Sequence, residues 1–335
     1  MAYQIGDYNM TIKLSDLGGG GGGTALGEIT RLWQGFPDDY ARDGQKFLRS
    51  GFAITSGWDA SLDAFIFPAG VWSAVTSGFG STFIRSIATD QAGVWVAGGD
   101  SGTMRRSTNN GASWSAVTSG FGSASIRSIA TDNAGVWVAV GDSGVMRRST
   151  NNGVTWSAVT SGFGSAQILS VATDEAGVWV AGGTSGTMTR STNNGVTWSA
   201  VTSGFGTAIW SIATDQAGVW VAVGVSGTMT RSTNNGVTWS AVTSGFGSTS
   251  IASIATDEAG VWVAGGSSGT MTRSTNDGAS WSAVTSGFGS TNIASIATDE
   301  AGVWVAGDSR GAMTRADGIS FGIDTGNDVD YVRYL

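Results

Sequence analysis

Two series of tryptophans repeat along the chain with a period of 41 or 42 residues. The first series is Trp72, Trp114, Trp156, Trp198, Trp239 and Trp281. The second occurs in the motif AGVWVA and is Trp95, Trp137, Trp179, Trp220, Trp262 and Trp304. A period of this length, with several short strand signals in each unit, is typical of a β-propeller blade. Helical repeats of similar length need apolar residues three and four positions apart, and that spacing is absent.

Each repeat divides into four predicted strands, which we name A to D. In residues 82–118 strand A spans 83–89, B spans 94–97, C spans 103–107 and D spans 113–118, with Gly- and Asn-rich turns between them. Strand B reads VWVA, with bulky side chains on both faces, which favours a sheet covered on both sides by neighbouring blades. We therefore interpret the twelve repeated tryptophans as the core between blades.

The strand count predicts an all-β, seven-bladed propeller of four-stranded blades, with six blades as the alternative. D-type strands occur seven times, the last in residues 319–326, but the B and C types occur six times after residue 90. Residues 46–55 and 62–70 would supply the missing pair. The C-terminal strand, residues 329–335, would complete that blade from the inside and remove the open edges of the ring.

Composition excludes several classes of function. The 335 residues include no Cys and no His, which excludes thiol and His-dependent catalytic dyads and nearly all zinc, haem and iron–sulfur sites. The net charge of −8 argues against a protein that binds duplex nucleic acid, since such proteins present a basic face. The chain shows neither a signal-peptide pattern nor an apolar run long enough to span a membrane. We expect no metal, no cofactor and no membrane insertion.

The turn between strands C and D carries a family resemblance. It reads STNNGASW at 107–114, STNNGVTW at 149–156, 191–198 and 232–239, and STNDGASW at 274–281. This resembles the Asp-box, or bacterial neuraminidase repeat, found in sialidase-like propellers and in propellers of the photosystem II assembly-factor type. In that family the box is a structural element, which implies a structural role for the residues at its Asp position, here Asn109, Asn151, Asn193, Asn234 and Asn276.

The resemblance does not extend to sialidase activity. That family needs an Arg triad, a Tyr nucleophile and acid/base carboxylates from different blades. Here most Arg and Asp residues recur at fixed places in the repeat, as Asp90 and its counterparts do in the turn ATDxAG, and repetition indicates a structural role. A hydrolytic site should instead break the repeat with a lone carboxylate pair. We therefore expect a non-catalytic protein with no catalytic residues.

Positions that differ between repeats predict the binding site. They lie at the start of strand A, in the B–C turn and at the start of strand C, which share one face of the disc, and loops on a rigid scaffold usually carry binding. The candidate ligand-binding residues are Phe83, Arg85, Asp100, Arg105, Arg127, Asp142, Arg147, Gln167 and Trp210. Aromatic platforms and planar cations suit sugars or acidic surface polymers. Neutral variation of solvated loops is the alternative.

The N-terminal region suggests a biological context. Residues 1–17 read as an anchor segment, 18–23 are a six-glycine tether, 24–45 form an adaptor segment, and 46–335 are the propeller. This layout resembles a bacteriophage tail-fibre or adhesin protein, which implies a virion protein made in the host cytoplasm and held to other tail proteins through residues 1–45.

The sequence thus predicts a tail-fibre or tail-tip adhesin that binds a host surface glycan or receptor, either alone or as a homo-oligomer. The alternatives are a structural virion protein that docks other subunits, a cellular assembly-factor propeller that binds protein partners, and a glycan hydrolase.

Overall fold

The computed structural model describes residues 58–59, 64–65, 74–300 and 302–317. The chain divides into two compact units, residues 1–74 and 75–335. In the first unit β1 (Trp58–Asp59) pairs antiparallel with β2 (Ala64–Phe65). β2 lies within the predicted strand 62–70, but its partner β1 lies outside the predicted strand 46–55. The predicted segments 1–17, 18–23 and 24–45 and the domain boundary at residue 46 lie outside the described residues.

The described residues of the second unit form six antiparallel sheets, each from one sequence repeat. Blade 1 consists of β3 (Ile84–Thr89), β4 (Trp95–Gly99), β5 (Met104–Ser107) and β6 (Ser115–Ala116), and blade 2 consists of β7 (Ile126–Thr131), β8 (Trp137–Gly141), β9 (Met146–Ser149) and β10 (Ser157–Ala158). Blade 3 consists of β11 (Ile168–Thr173), β12 (Trp179–Gly183), β13 (Met188–Ser191) and β14 (Ser199–Ala200), and blade 4 consists of β15 (Ile209–Thr214), β16 (Trp220–Gly224), β17 (Met229–Ser232) and β18 (Ser240–Ala241). Blade 5 consists of β19 (Ile251–Thr256), β20 (Trp262–Gly266), β21 (Met271–Ser274) and β22 (Ser282–Ala283), and blade 6 consists of β23 (Ile293–Thr298), β24 (Val303–Asp308) and β25 (Met313–Asp317). Between strands B and C, blades 1 to 5 carry short 3₁₀ turns at Asp100–Gly102, Asp142–Gly144, Thr184–Gly186, Val225–Gly227 and Ser267–Gly269.

The predicted propeller of four-stranded blades is confirmed, and the predicted bounds of strands A to C hold to within two residues. Strand D is shorter than predicted, with two residues in each of blades 1 to 5. The described residues form six blades rather than seven, and the sixth has three strands. Apart from β2, the strands predicted for a seventh blade (46–55, 62–70 and 329–335) and the seventh D strand at 319–326 lie outside the described residues.

Apolar side chains pack between consecutive blades rather than within one sheet. Val96 and Met104 of blade 1 form one cluster with Ile126, Ile129 and Trp137 of blade 2. Trp137 and its counterparts in the next three blades have no solvent exposure, which agrees with their predicted place in the core. The other tryptophan series differs, because Trp114 and its counterparts are only partly buried and donate from Nε1 to a glycine carbonyl of the Asp-box turn.

The A strands of successive blades are also joined by a hydrogen bond. The backbone N–H of Ile129 donates to Ser86 Oγ of the preceding blade at 3.0 Å, and four further blade junctions repeat this bond. Each strand A is therefore fixed against its neighbour by both packing and polar contacts. Ile84 and Ile87 of blade 1 are 49% and 53% exposed, since no preceding blade among the described residues covers them.

Two local turns explain why the repeat folds as it does. In the Asp-box turn, Asn109 Oδ1 accepts the Ser113 N–H at 2.9 Å and Ser107 Oγ accepts the Gly111 N–H at 3.0 Å. Asn110 and Gly111 have φ of 55° and 79°, a region in which Asn and Gly are the residues best tolerated. In the A–B turn, Asp90 Oδ1 accepts the N–H groups of two following residues at 2.9 and 2.8 Å.

Candidate binding site at the strand A bulges

A β-bulge at the start of strand A presents one side chain from every blade. In blade 1, Ile84 pairs with Gly99 and Ser86 pairs with Gly98, so that Arg85 is the extra residue. The same register shift occurs in all six blades. The bulge residues, which we call the bulge series, are Arg85, Arg127, Leu169, Trp210, Ala252 and Ala294. Bulges re-aim side chains, and here the re-aimed position is one of those that vary between repeats.

Blades 1 and 2 place two ion pairs side by side. Arg85 binds Asp100 in the B–C turn of its own blade through Nε and through Nη2, the latter at 3.1 Å. Arg127 binds Asp142 in the same two-point manner at 2.7 and 3.1 Å. Sequence analysis selected these four residues, and the structure brings them together in pairs. We call this group the charge cluster.

Electrostatic effects cross from one blade to the next within the charge cluster. The hydrogen bond from Arg85 lowers the pKa of Asp100, and Ser125 and Arg127 of blade 2 lower it further against the opposing effect of desolvation. The hydrogen bond to Asp100 raises the pKa of Arg85, and Asp142 adds to this increase. Asp100 is therefore held as a carboxylate between two arginines. Ser125 was not among the candidate residues predicted from the sequence, although it occupies the position before strand A, where the residue type differs between repeats.

Aromatic residues flank the charge cluster unevenly. Phe83 is 72% exposed, and the Arg85 guanidinium carbon lies 6.0 Å from the centre of its ring. This distance is at the limit of a cation–π contact. Trp210 is 38% exposed at the bulge of blade 4, two blades away from Arg127. Phe83 is thus part of the same surface as the ion pairs, whereas Trp210 belongs to a separate part of the bulge series.

Arg105 and Arg147 stabilise loops in the structure. Their guanidinium groups donate to the carbonyls of Gly78 and Gly120 in the loop that enters their own blade. In blades 3 to 5 the same position holds Thr189, Thr230 and Thr272, each fully buried with a hydroxyl that lacks a hydrogen-bond partner. The two arginines therefore contribute to loop structure as well as to the charge on this face.

The hydrogen bond that Gln167 makes on this face comes from its backbone carbonyl. Its carbonyl accepts the N–H of Thr184 at 3.0 Å, which closes the B–C turn against the start of strand A in blade 3. The carbonyl of Phe83 accepts from Asp100 in the same way in blade 1. The side chain of Gln167 is half-buried. The nine predicted ligand-binding residues thus fall into three groups. The first is the charge cluster with Phe83, the second is Arg105 and Arg147, which bind loop carbonyls, and the third is Gln167 and Trp210, which lie farther away.

The opposite face carries a polar chain that sequence analysis missed. Glu175 Oε1 accepts from Asn133 Nδ2 at 2.8 Å and from Gln216 Nε2 at 3.1 Å, and Gln216 also donates to Glu258 at 2.7 Å. These residues occupy the variable position x of the turn ATDxAG. This variation between repeats is the sequence signal from which the polar chain could have been predicted. Desolvation raises the pKa of Glu258, and the charges of Glu300, Glu175 and Asp215 raise it further.

Two grooves lie away from both of these polar groups. One, of about 610 Å³, runs between the D strand of blade 1 and the Asp-box turn of blade 2 and is lined by residues that include Arg106, Val154 and Trp156. A second, of about 490 Å³, has the same place between blades 3 and 4. Because both grooves occupy the same place in the repeat and are lined by nearly the same residues, we attribute them to blade packing.

The charge cluster presents hydrogen-bond donors and acceptors that are already engaged in ion pairs. Each aspartate of the charge cluster is paired with an arginine, which disfavours a role as a shared-proton carboxylate pair. Among the described residues, no three acidic side chains are arranged to hold a metal ion, and no helix is long and apolar enough to cross a membrane.

Comparisons with known proteins give similarity in fold. No protein-family model matches the chain, and no curated protein matches it. YCF48 bound to D1 peptide has a TM-score of 0.57 at 16% identity over 70% of this chain and 77% of its own. The GH74 xyloglucanase from Xanthomonas campestris has a TM-score of 0.60 at 18% identity over 71% of this chain, which spans only 44% of the xyloglucanase. The designed protein Ika8 gives 0.55 at 14% identity over 70% of this chain and 71% of its own.

These likenesses extend to the fold alone. Together with the repeated Asp-box-like turns, they confirm the predicted resemblance to Asp-box β-propellers.

Proposed function

We propose that the chain is a non-catalytic binding propeller that recognises a cell-surface glycan through the charge cluster and Phe83. The observation that carries the proposal is the pairing of Arg85 with Asp100 and of Arg127 with Asp142 on adjacent blades, beside an exposed phenyl ring. Donors and acceptors fixed at a short separation match vicinal hydroxyl groups. An exposed aromatic face matches the apolar face of a sugar ring.

The charge balance of the cluster favours a neutral glycan over an acidic polymer. Both guanidinium groups already bind a carboxylate, and Arg105 and Arg147 bind backbone carbonyls. An acidic ligand would have to compete with these partners for the arginines. A neutral sugar can accept from guanidinium N–H groups and donate to carboxylate oxygens while the ion pairs remain in place.

A glycan array probed with the full-length protein, followed by calorimetry on the best neutral oligosaccharide, tests the proposal. We expect Phe83→Ala and the pair Asp100→Asn with Asp142→Asn each to weaken binding about tenfold or more, the loss of roughly one hydrogen bond or stacking contact. Val154→Ser and Val237→Ser, at exposed positions of Asp-box turns, are the matched controls and should bind as wild type.

Three results would contradict the proposal. They are a folded protein that binds no glycan, glycan binding that both the Phe83→Ala variant and the Asp100→Asn/Asp142→Asn variant retain as the controls do, and release of reducing sugar from the bound oligosaccharide. The last would indicate a hydrolase.

Peptide binding is the second candidate, supported by the similarity in fold to YCF48 bound to D1 peptide. An extended peptide could use the same exposed ring and ion pairs. Binding of an unmodified peptide library that is lost on Phe83→Ala, with no glycan bound, would favour this function.

The virion context belongs to the same proposal. It depends on the resemblance of residues 1–23 to a tail-fibre anchor and tether, and these residues lie outside those described. If residues 1–45 attach the propeller to other tail proteins, their deletion should abolish incorporation into particles and leave glycan binding unchanged. A structural role in the virion predicts incorporation without any glycan binding.

A further inference from the structure

Asparagine is followed directly by glycine in the Asp-box turns of blades 1 to 4. The asparagines are Asn110, Asn152, Asn194 and Asn235. Glycine has no Cβ to shield its backbone nitrogen, so that this nitrogen can attack the side-chain amide of the preceding asparagine. The attack forms a cyclic imide, which water opens to an aspartate. The four turns are therefore four candidate sites for the same spontaneous modification.

The attacking nitrogen is held alike in all four turns. The N–H of Gly111 donates to Ser107 Oγ at 3.0 Å, and the corresponding glycines of the other three turns make the same bond at the same distance. The four asparagines also share a φ between 55° and 58°. A difference in reactivity must therefore come from the asparagine side chain and its neighbours.

Three contacts immobilise the asparagine in blades 2 to 4. In blade 2, Asn152 Oδ1 accepts from Trp137 Nε1 at 3.0 Å, and Asn152 Nδ2 donates to Asp90 of blade 1 at 3.3 Å. Arg106 Nε of blade 1 donates to the backbone carbonyl of Asn152 at 2.6 Å. The asparagines of blades 3 and 4 make all three contacts as well. To bring its Cγ to the glycine nitrogen, the side chain must leave both the indole and the carboxylate.

Asn110 in blade 1 makes none of these contacts with the described residues. Trp95 Nε1, the corresponding indole donor, is buried without a hydrogen-bond partner. The side chain of Asn110 is turned toward the A–B turn, where its Oδ1 would lie 3.6 Å from a Cβ placed on Gly93. At the same glycine of blades 2 to 4 no atom would lie within 4 Å of the Cβ. Asn110 is also exposed, whereas its three counterparts are half-buried.

Apolar residues occupy the sequence positions one repeat before Arg106 and Asp90. Those two residues supply the contacts that reach the asparagine of blade 2 from blade 1. At 42 residues before them the chain has Ala64 and Leu48, which offer neither a guanidinium group nor a carboxylate. The sequence therefore provides no equivalent contacts to the asparagine of blade 1 at these positions.

We infer that Asn110 is a site of spontaneous deamidation and that the fold protects the other three asparagines. The nitrogen of Gly111 loses its proton to hydroxide and attacks Asn110 Cγ, and the side-chain nitrogen takes up a proton and leaves as ammonia. Water then opens the cyclic imide to an aspartate or an isoaspartate. The reaction adds one negative charge to the face that carries the Asp-box turns.

Blade 5 shows how the fold holds an aspartate at this position. Asp277 is the counterpart of Asn110, and its Oδ1 would lie 3.3 Å from a Cβ placed on Gly260, the counterpart of Gly93. The carboxylate is thus turned toward the A–B turn as the amide of Asn110 is. The aspartate formed from Asn110 therefore fits the turn as it stands.

Peptide mapping of the aged full-length protein tests the inference. Trypsin cleaves after arginine and releases the four asparagines in separate peptides, 107–127, 149–190, 191–231 and 232–273. The folded protein is incubated at mildly alkaline pH, and mass spectrometry then gives the extent of deamidation in each peptide. A sample digested without incubation corrects for reaction during digestion. Incubation in concentrated urea is the control, in which all four sites should react at similar rates because each precedes glycine.

In the folded protein we expect Asn110 to react about tenfold faster or more than each of the other three. Those three must first lose two hydrogen bonds, one of them to a charged group. Equal rates at the four sites would overturn the inference, and so would an unreactive Asn110 in a protein whose four sites react in urea.

The variant Asn110→Asp mimics the product and has Asn235→Asp as its matched control. Asn110→Asp should melt at the wild-type temperature, because its amide joins no other blade, whereas Asn235→Asp should melt lower. An equal decrease for both variants would mean that the amide of Asn110 is bound in the protein and would also overturn the inference.

Discussion

The Asp-box turn of blade 5 contains a natural substitution whose energetic effect follows from its neighbours. In blades 2 to 4 the second Asn of the box, such as Asn235, joins two blades. Asn235 Oδ1 accepts from Trp220 Nε1 at 2.8 Å, and Asn235 Nδ2 donates to Asp174 of the preceding blade at 3.1 Å. Blade 5 has Asp277 at this position, and the residue of blade 4 that corresponds to Asp174 is Asp215. Trp262 Nε1 there is buried without a hydrogen-bond partner.

We therefore predict that Asp277→Asn stabilises the protein. An amide can accept from Trp262 Nε1 and donate to Asp215, whereas two carboxylates repel each other. A hydrogen bond to a charged group contributes about 1.5–3 kcal/mol, and because Asp277 is exposed we expect a net gain of about 1–2 kcal/mol. In a domain of this size that corresponds to an increase in Tm of about 2–8 °C.

The reverse change in blade 4 provides the matched control. Asn235→Asp should lower the free energy of unfolding by about 2–4 kcal/mol, because it removes the donor to Asp174 and adds a like charge beside a carboxylate that is only 5% exposed. Asn234→Asp, one residue earlier, should have an effect within about 0.5 kcal/mol. Asn234 Oδ1 accepts from Ser232 and from the Thr238 N–H, as a carboxylate can, and the Thr238 hydroxyl that now accepts from Asn234 Nδ2 can donate to a carboxylate instead.

Urea and thermal unfolding followed by circular dichroism measure all three variants. The reasoning fails if Asp277→Asn leaves the free energy of unfolding unchanged while Asn235→Asp lowers it no more than Asn234→Asp. That result would mean that the amide bridge between blades contributes nothing beyond local turn geometry.

Three further predictions concern buried polar groups and close backbone contacts. Thr230→Val should raise the free energy of unfolding by about 1 kcal/mol in urea titrations, because it removes a buried hydroxyl without a partner, whereas Thr214→Val should lower it, since that hydroxyl donates to a carbonyl at 2.9 Å. Folding raises the pKa of Glu258. The free energy of unfolding therefore falls as the pH rises from the unfolded pKa to the folded pKa of this carboxyl group, and it does not change further above the folded pKa. Glu258→Gln should therefore stabilise the protein at pH 7 by about 0.5 kcal/mol and have little effect below about pH 4, and an equal effect at both pH values would contradict this account. Gly183→Ala places a Cβ 2.0 Å from a backbone carbonyl oxygen and should cost about 3 kcal/mol or more, and a wild-type melting temperature would refute this.

Sequence alone determined the repeat, the strand order within a blade and the two turns, because these depend on contacts within a few residues. Asp90 and Asn109 accept hydrogen bonds from N–H groups no more than four residues away, and so each turn is encoded where it occurs. The buried tryptophan of strand B was also predictable, since a strand with bulky groups on both faces must be covered on both sides.

Tertiary structure alone decided how the variable positions combine. The sequence marked Arg85, Asp100 and Arg105 as candidates of one kind, but the bulge and the B–C turn pair the first two, while the third braces a loop through Gly78. The bond from Asn235 to Asp174 joins residues 61 positions apart. Such partners meet only when blades pack, because side-chain direction at a bulge and the distance between blades are set by the whole arrangement of sheets and not by any local pattern.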